Sequence, residues 1–326
     1  MYLMLLEPDY KERVWGGQKL KTILNKEIPY THTGESWEVA CHENGHSIIK
    51  NGPLKGMTLK AAIDAYGEEL LGHTVKKGEK FPLLLKFIDA KDLLSVQVHP
   101  DDAYAVVNEN GELGKNEAWY ILDAELGSKL IVGLKDGVTK EEFIRAFKEE
   151  RLETVLHEIE VKKGDVVNVP AGLIHAIGAG ILLAEVQQNS DTTYRVYDWG
   201  RVGLDGKMRE LHVEKSLEVI DFDEKHPKTV VEGTRQVGEG YDLIYYIKNS
   251  YFALDKINVT KSYRGYKQSK QFELFLCVEG NAEINSKEGA ISVANGDSFM
   301  VPASIETYTI TGCGSFIRAT VPEIKE

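Results

Sequence analysis

Residues 164–175, GDVVNVPAGLIH, carry the pattern that most clearly indicates the fold. A Gly-Asp pair typical of a turn precedes the short apolar run VVNV, and Pro170 and Gly172 then mark a second turn. His175 follows where the next strand should begin. The segment therefore predicts two strands joined by a tight turn, with the histidine side chain pointing into the interior of a β structure.

A second copy of this pattern lies near the end of the chain. Residues 296–303, GDSFMVPA, match residues 164–171, GDVVNVPA, in both the turn and the Pro-Ala pair. Short runs of Val, Ile, Leu, Phe and Tyr between Gly, Asn, Asp and Pro occupy most of the chain, which favours an all-β sandwich or barrel. We therefore predict two related β units. Thr307 takes the place of His175 in the second unit.

The length of 326 residues is sufficient for about two domains. Local helix signals interrupt the strands: Thr58 precedes a stretch in which apolar residues have helical spacing, and Thr139 begins a capping box. The polar, glycine-containing segment 222–240 is the predicted linker. We expect a first β domain at residues 1–225, with a helical insertion at about 137–157, and a second β domain at residues 240–326.

The composition argues against several classes of function. Hydrophobic residues make up 42% of the chain, and no apolar run approaches the roughly 18 residues of a membrane span. With a formal net charge of −12 there is no basic stripe for nucleic acid, so an anionic substrate would need a local cationic pocket. Three widely spaced cysteines, and an N-terminal stretch with Glu7 and no basic leader, predict a mature cytoplasmic chain. We expect a monomer or a weak homo-oligomer.

Residues 42–46, HENGH, match the HExxH pattern of zinc proteases. That chemistry requires both histidines on one face of a helix. Here Asn44 and Gly45 lie between two strand-like runs, and Asn-Gly in that setting is typical of a hairpin. We therefore predict an exposed hairpin and no protease site.

The GDVVNVPAGLIH segment also fits the second sequence motif of the cupin superfamily, G(x)5PxG(x)2H, except that Ala179 stands where the full pattern ends in Asn. A lone histidine is more often structural than a ligand, so partners are needed. Gln97 and His99 share one face of a predicted strand, and Glu117 begins another. Together with His175 they offer donors that suit zinc with an open position. These rules alone leave a purely structural role open. The cupin motif implies a mainly β fold of two jelly-roll units with a small helical insertion.

Three longer segments carry a more specific resemblance. LLLKFIDAKDLLSVQVHPDD at 83–102, GKNEAWYIL at 114–122 and NSDTTYRVYDWGR at 189–201 resemble type I mannose-6-phosphate isomerases, and the last resembles their bacterial short-chain branch. The similarity covers most of residues 1–220, whereas the last 80 or so residues resemble the family only loosely.

The resemblance implies a set of functional residues. It implies one zinc ion per chain in the first domain, a catalytic arginine at Arg195, and a second domain without metal. The positions that match the zinc ligands of the family are Gln97, His99, Glu117 and His175.

Four further residues are candidates for binding a sugar phosphate. Lys86 lies in an otherwise apolar strand, where a lysine is costly unless it is paired. Ser95 lies on the same strand face as Gln97, Lys115 lies in a polar loop and Asp191 in a turn, and the latter two could equally be solvated or structural residues. The expected substrate set is Lys86, Ser95, Lys115 and Asp191.

The implied reaction interconverts mannose 6-phosphate and fructose 6-phosphate through an enediol, with the base left open among zinc-bound water, Asp191 and Lys115. One alternative is a non-catalytic, metal-containing, sugar-binding cupin, because fold does not determine function. A second is a metal-dependent dioxygenase, which would use two histidines and one carboxylate. The cations Lys86, Lys115 and Arg195 favour a phosphorylated substrate over the second alternative.

Overall fold

The computed structural model describes residues 1–76, 78–223, 230–267 and 270–322. Residues 224–229 of the predicted linker and residues 323–326 of the predicted second domain lie outside the described residues. The strands of the described residues are, in chain order, β1 Met4–Glu7, β2 Asp9–Gly17, β3 Thr33–Val39, β4 Cys41–His42, β5 Gly45–His46, β6 Ile48–Ile49, β7 Leu83–Ala90, β8 Val96–Val98, β9 Glu117–Ala124, β10 Lys129–Leu134, β11 Leu156–Glu160, β12 Val166–Val169, β13 His175–Ile177, β14 Ile181–Gln188, β15 Tyr194–Tyr197, β16 Thr234–Gly238, β17 Tyr241–Lys248, β18 Ala253–Val259, β19 Ser262–Tyr266, β20 Glu273–Ser286, β21 Gly289–Ala294, β22 Ser298–Val301 and β23 Thr307–Thr320.

Short helices lie between the strands. They are α1 Lys19–Thr22, α2 Leu59–Leu71, α3 Asp102–Asn108, α4 Lys140–Lys148, α5 Val213–Val219 and a 3-10 helix at Leu152–Thr154. Thr58 caps α2 and Thr139 caps α4, each accepting a hydrogen bond from a backbone N–H of the first turn, as the sequence predicts. None of the helices in the described residues is long and apolar enough to cross a bilayer.

Two antiparallel sheets form what we call the first β unit. The six-stranded sheet has the order β12-β9-β14-β7-β2-β3, and the five-stranded sheet has the order β11-β10-β13-β8-β15. Their inner faces pack together through one cluster of buried apolar side chains that includes Trp119 and Leu183 of the first sheet and Leu130 and Val132 of the second. The interior between these two sheets is where the candidate site lies.

A ten-stranded sheet forms what we call the second β unit, with the main order β16-β17-β18-β23-β20-β22-β1-β6. Its strands come mostly from the C-terminal part of the chain, but β1 and β6 come from the N-terminal part, and Met4 pairs with Met300. One hydrophobic cluster contains Leu6, Phe87 and Phe252 and so joins both units. The domain boundaries at residues 225 and 240 stay a prediction.

The two Gly-Asp segments adopt the same local structure, as the sequence repeat predicts. Gly164 and Gly296 both have positive φ, 96° and 92°, a conformation that glycine adopts without strain. In each turn the aspartate side chain accepts a hydrogen bond from the backbone N–H three residues earlier, at 2.9 Å for Asp165 and 2.8 Å for Asp297. Strands β12 and β22 follow directly. Chain segments 132 residues apart therefore build equivalent corners of the two units.

The HENGH segment is a hairpin, as predicted, but its two histidines are half-buried instead of exposed, and the ring of His42 packs edge-on against that of Trp37. Strands β4 and β5 pair antiparallel, with Cys41 opposite His46 and His42 opposite Gly45. The two histidines therefore do not share a helix face, and the zinc-protease arrangement is excluded at this place.

Candidate active site and metal centre

Strand ends bring three side chains of metal-ligand type together inside the first β unit, and they are the predicted ligands His99, Glu117 and His175. Glu117 is the first residue of β9 and His175 the first of β13, while His99 directly follows β8. His175 lies opposite Gln97 in the five-stranded sheet, and Glu117 lies opposite Val169 in the six-stranded sheet. All three metal-binding side chains are buried, and their donor atoms lie within 4.8 Å of one another. The cluster thus forms where the inner faces of the two sheets meet.

Both histidines present the same ring nitrogen to the cluster. Nδ1 of His99 lies 3.0 Å from the Thr192 carbonyl oxygen, and Nδ1 of His175 lies 2.8 Å from the Leu173 carbonyl oxygen. A carbonyl accepts only from a protonated nitrogen, so each Nε2 keeps its lone pair. These Nε2 atoms lie 3.3 Å and 3.8 Å from the two carboxylate oxygens of Glu117. Orientation by a backbone carbonyl is what metal-binding histidines require.

The charge states of the cluster also suit a cation. Burial, helped by the neighbouring Lys115, lowers the pKa of His99 to about 3, and burial likewise lowers the pKa of His175. Burial alone would raise the pKa of Glu117, but Lys115 and the two histidines outweigh it and hold that pKa well below its usual range. Neutral imidazoles and an ionised carboxylate are the forms that bind metal.

The oxygens of Glu117 lack hydrogen-bond partners. Neither one accepts a hydrogen bond from the described residues, although Lys115 Nζ lies 2.7 Å from Oε1. Lys115 Nζ also lies 3.3 Å from Nε2 of His99, and Nε2 of the Gln97 amide lies 3.3 Å from Nε2 of His175. A buried carboxylate is costly unless it is paired, and here Lys115 is its ion-pair partner. Both oxygens still face Nε2 of a histidine, so the three side chains together present donors suited to a metal ion.

A second buried ion pair lies beside the cluster. Lys86 of β7 and Glu185 of β14 are opposite each other in the six-stranded sheet, with 3.2 Å between Nζ and Oε1. Trp119 Nε1 donates to Oε2 of Glu185 at 2.9 Å. Burial and the charge of Glu117 raise the pKa of Glu185, whereas Glu185 and Glu35 raise the pKa of Lys86 despite its burial. Lys86 therefore carries a positive charge into the interior instead of extending to solvent.

A cavity of about 590 Å³ opens over this cluster. Ser95, Gln97, Asp191 and Arg195 are among the residues that line it. Arg195 is half-buried, and its Nη1 donates to the Glu210 carbonyl oxygen at 2.9 Å. The cationic side chains that line the cavity are Arg13, Lys86, Lys115, Arg195 and Arg209. Five acidic side chains line it as well, namely Glu12, Glu35, Glu185, Asp191 and Asp205, so the cavity offers an anionic substrate individual cations and not a net positive charge.

Similarity to known proteins extends along most of the chain. Residues 3–125 match the model of the type I phosphomannose isomerase catalytic domain, and residues 242–321 match the model of the mannose-6-phosphate isomerase cupin domain. The mannose-6-phosphate isomerase ManA of Bacillus subtilis (strain 168) is 40% identical over 311 residues, which are 95% of this chain and 96% of that protein. The chain belongs to the type I phosphomannose isomerase family.

Other members of the family show the same extent of similarity. A mannose-6-phosphate isomerase of Streptococcus mutans is 36% identical over 309 residues, 95% of each chain. The crystal structure of the mannose 6-phosphate isomerase from Bacillus subtilis superimposes with a TM-score of 0.92 at 34% identity, covering 98% of this chain and 99% of that one. The family resemblance, the cupin fold and the assignment as a sugar-phosphate isomerase are confirmed.

All the site residues predicted from sequence lie in one place in this phosphomannose isomerase. The four predicted ligand positions converge, and the four predicted substrate residues and Arg195 line the cavity or its floor. Their individual roles stay predictions. Sequence analysis missed Glu185 and Glu35, although Glu185 lies in the apolar run ILLAEVQQ and so carried the same signal as Lys86, a charged residue within an apolar strand. It also missed Arg13 and Arg209, which lie in polar stretches without any such signal.

Proposed function

We propose that this enzyme is a zinc-dependent aldose–ketose isomerase that interconverts mannose 6-phosphate and fructose 6-phosphate through an enediol. The observation that carries the proposal is the buried trio His99, Glu117 and His175, whose Nε2 atoms and carboxylate oxygens face one another beside two side chains that line the cavity, Gln97 and Lys115. We further propose one zinc ion per chain, a cytoplasmic location and a monomer or weak homo-oligomer.

The donor set fits zinc. Two imidazole nitrogens and a carboxylate are common ligands of catalytic zinc. The Gln97 amide presents its nitrogen, 3.3 Å from Nε2 of His175, so a half-turn of the amide would bring its oxygen to the cluster as a fourth ligand. When bound, zinc would polarise the carbonyl of the open-chain sugar and stabilise negative charge on its oxygen. Lys115 provides a positive charge beside the same atoms.

The cavity wall fits a sugar phosphate. Lys86, Ser95 and Arg195 all line the cavity, so a phosphate and a polar carbon chain would both find donors. The Arg195 side chain makes no ion pair with the described residues, and its Nε is buried without a partner. A guanidinium with unused donors is well suited to bind an anionic oxygen.

The reaction requires a proton to move between C2 and C1 of the open-chain sugar. A base removes the proton from C2 of the aldose, the C–H electrons form a double bond between C1 and C2, and the C1 carbonyl oxygen takes up a proton to give the enediol. The C2 hydroxyl then gives up its proton and becomes the carbonyl while C1 takes the proton back from the base, which gives the ketose. Lys115 is engaged by Glu117 and His99, whereas Asp191 lies on the cavity wall, so we assign proton transfer to Asp191. Arg195 would stabilise charge on the enediol oxygens.

The test is conversion of mannose 6-phosphate to fructose 6-phosphate by the purified enzyme, before and after chelation and after zinc is added back. We expect activity to be lost on chelation and restored by zinc. A folded, zinc-loaded sample without conversion would favour the non-catalytic sugar-binding cupin. Restoration by iron instead of zinc, with oxygen consumption, would favour the dioxygenase.

A further inference from the structure

The β4–β5 hairpin, which sequence analysis set aside as a protease decoy, contacts the candidate active site. At its turn, Asn44 Nδ2 donates to Oδ2 of Asp191 at 2.8 Å. At its base, the Cys41 carbonyl oxygen accepts from Nδ2 of Asn189 at 3.2 Å. Two hydrogen bonds donated by side-chain amides therefore join the hairpin to the turn that carries Asp191.

That turn also reaches the metal-binding cluster. Thr192, the residue after Asp191, has the carbonyl oxygen that lies 3.0 Å from Nδ1 of His99. Residues 189–192 are thus held by the hairpin at one end and by a metal-binding histidine at the other. Because Asp191 lines the cavity, any change in the orientation of its carboxylate would change the position of that carboxylate relative to a bound substrate.

The hairpin is held firmly enough to orient a neighbour. Lys11 Nζ donates to the Asn44 carbonyl oxygen at 2.6 Å, and the Asn44 N–H donates to Nδ1 of His42 at 3.1 Å. A Cβ at Gly45 would lie 2.9 Å from the Trp37 ring, so only glycine lets the hairpin pack this closely. Although the Asn44 side chain is exposed, these contacts hold its backbone in place, so the position of its Cα and Cβ atoms relative to Asp191 is defined.

We propose that Asn44 is a positioning residue of the isomerase, whose amide holds one oxygen of Asp191 and turns the other towards the substrate. The inference rests on the proposed function, because it gives Asp191 a part in proton transfer. By holding Oδ2, the amide restricts rotation of the carboxylate and leaves Oδ1 for the sugar. Placing a reacting group in advance lowers the entropic cost of the chemical step.

The proposal separates orientation from folding. The bond from Asn189 to the Cys41 carbonyl does not involve Asn44, so loss of the Asn44 amide leaves the turn attached to the hairpin. We therefore expect Asn44→Ala to change turnover without changing stability, metal content or substrate binding. A structural residue would change these properties together.

The experiment is a double-mutant cycle with Asn44→Ala, Asp191→Asn and the pair, measured as kcat and KM for mannose 6-phosphate. We expect Asn44→Ala to lower kcat by about 10-fold, with KM, zinc content and urea midpoint nearly unchanged. In the Asp191→Asn background the same change should lower kcat by less than about twofold, because the group it orients is gone. The exposed neighbour Glu43 provides the matched control, and Glu43→Ala should retain wild-type kinetics.

Several results would overturn the proposal. Equal losses of kcat in both backgrounds would mean that Asn44 does not act through Asp191. An Asn44→Ala enzyme with wild-type kcat, or one that loses zinc and stability in proportion to activity, would also be incompatible with positioning. Failure of the proposed function gives a different result, since the wild-type enzyme itself would then not convert mannose 6-phosphate.

Discussion

The two β units share a backbone plan but place different groups at matching positions. Glu117 of the first unit and Glu273 of the second each lie opposite the valine that precedes the Pro-Ala turn. His175 stands five residues after the proline in the first unit, and Thr307 stands at that distance in the second. Both units therefore have the carboxylate, but only the first has a histidine at the matching position.

The neighbouring ion pair is reversed between the units. In the first, Lys86 and Glu185 are cross-strand partners, with the lysine on β7. In the second, the corresponding partners are Asp255 and Arg318, with the acid on β18 and 2.7 Å between the charged atoms. The same pair of positions thus carries opposite charges in the two units.

The reversal changes which groups surround the shared glutamate. Arg318 Nη1 lies 3.1 Å from Oε1 of Glu273, and the Tyr308 hydroxyl donates to its Oε2 at 2.6 Å. Glu117 instead pairs with Lys115, at 2.7 Å between Nζ and Oε1, and its oxygens face Nε2 of two histidines. In the second unit a guanidinium and a hydroxyl therefore hold the glutamate, whereas the first unit surrounds it with nitrogen donors suited to a metal ion.

The largest expected effect comes from replacing His175, the residue that distinguishes the first unit from the second. His175→Ala should lower kcat/KM by about 10⁴-fold or more and reduce bound zinc, because it removes a donor from the buried trio. Thr307→Ala, the matched change in the second unit, should leave kcat/KM within about twofold of wild type. Steady-state kinetics with metal analysis checks both. Wild-type activity in a His175→Ala enzyme without metal would defeat the zinc assignment.

Next in size is the loss of the buried arginine of the second unit. Arg318→Met should lower the free energy of unfolding by about 3–5 kcal/mol, because it leaves Glu273 and Asp255 buried without their cation. Urea unfolding measures the loss, and the exposed Arg264→Met serves as the matched control. Adding Glu273→Gln and Asp255→Asn should recover much of the stability. No recovery would show that packing, and not charge, is what Arg318 supplies.

Arg195 provides the converse test in the first unit. Arg195→Ala should lower kcat by about 100- to 1,000-fold while zinc content and the free energy of unfolding stay nearly constant, because this arginine makes no ion pair with the described residues. Kinetics and metal analysis on the same preparation check the prediction. A parallel loss of zinc and activity would instead mark Arg195 as structural.

A smaller effect should depend on pH. Burial raises the pKa of Glu35, but Arg13 and Lys86 outweigh it and bring that pKa from 4.5 down to about 2. A carboxyl whose folded-state pKa is depressed stabilises the protein above its unfolded pKa, and this stability is lost as pH falls through the folded pKa. The stability difference between wild type and Glu35→Gln should therefore shrink by about 2 kcal/mol between pH 4.5 and pH 2.

Urea unfolding of metal-depleted wild type and variant at several pH values measures this difference. Arg13→Met in the Glu35→Gln background provides a control, since the Glu35 carboxylate is no longer there to respond to Arg13. A difference that is constant across this pH range would show that Arg13 and Lys86 do not hold Glu35 in its charged form.

The smallest effect should be equal in the two units. Asp165→Ala and Asp297→Ala each remove one side-chain hydrogen bond from equivalent Gly-Asp turns, so each should cost about 1 kcal/mol in the free energy of unfolding. Activity should remain near wild type in both variants. If the losses in the free energy of unfolding differ by more than about 2 kcal/mol, the two turns contribute differently to stability despite their equal geometry.

Local signals allowed much of the fold to be predicted. The Gly-Asp turn, the apolar run and the Pro-Ala pair lie within a few residues of one another, so their short-range preferences suffice to indicate strand, turn and strand. The same holds for the cap at Thr139 and for the Asn-Gly hairpin at residues 44–45. The pairing of β1 with β22 was not predicted, because no local signal links strands almost 300 residues apart.

For the site, too, residue types can be predicted from the sequence, whereas the contacts between distant residues cannot. The amino-acid sequence alone shows which residue types are available, and the family resemblance predicts four of them as metal ligands, Gln97, His99, Glu117 and His175. Only the tertiary structure decided that Glu185 neutralises Lys86 and that Asn44 holds Asp191, 147 residues further along the chain. Such partnerships depend on sheet register and on how separate strands face each other. These are long-range properties, which the spacing of residues along a single segment does not encode.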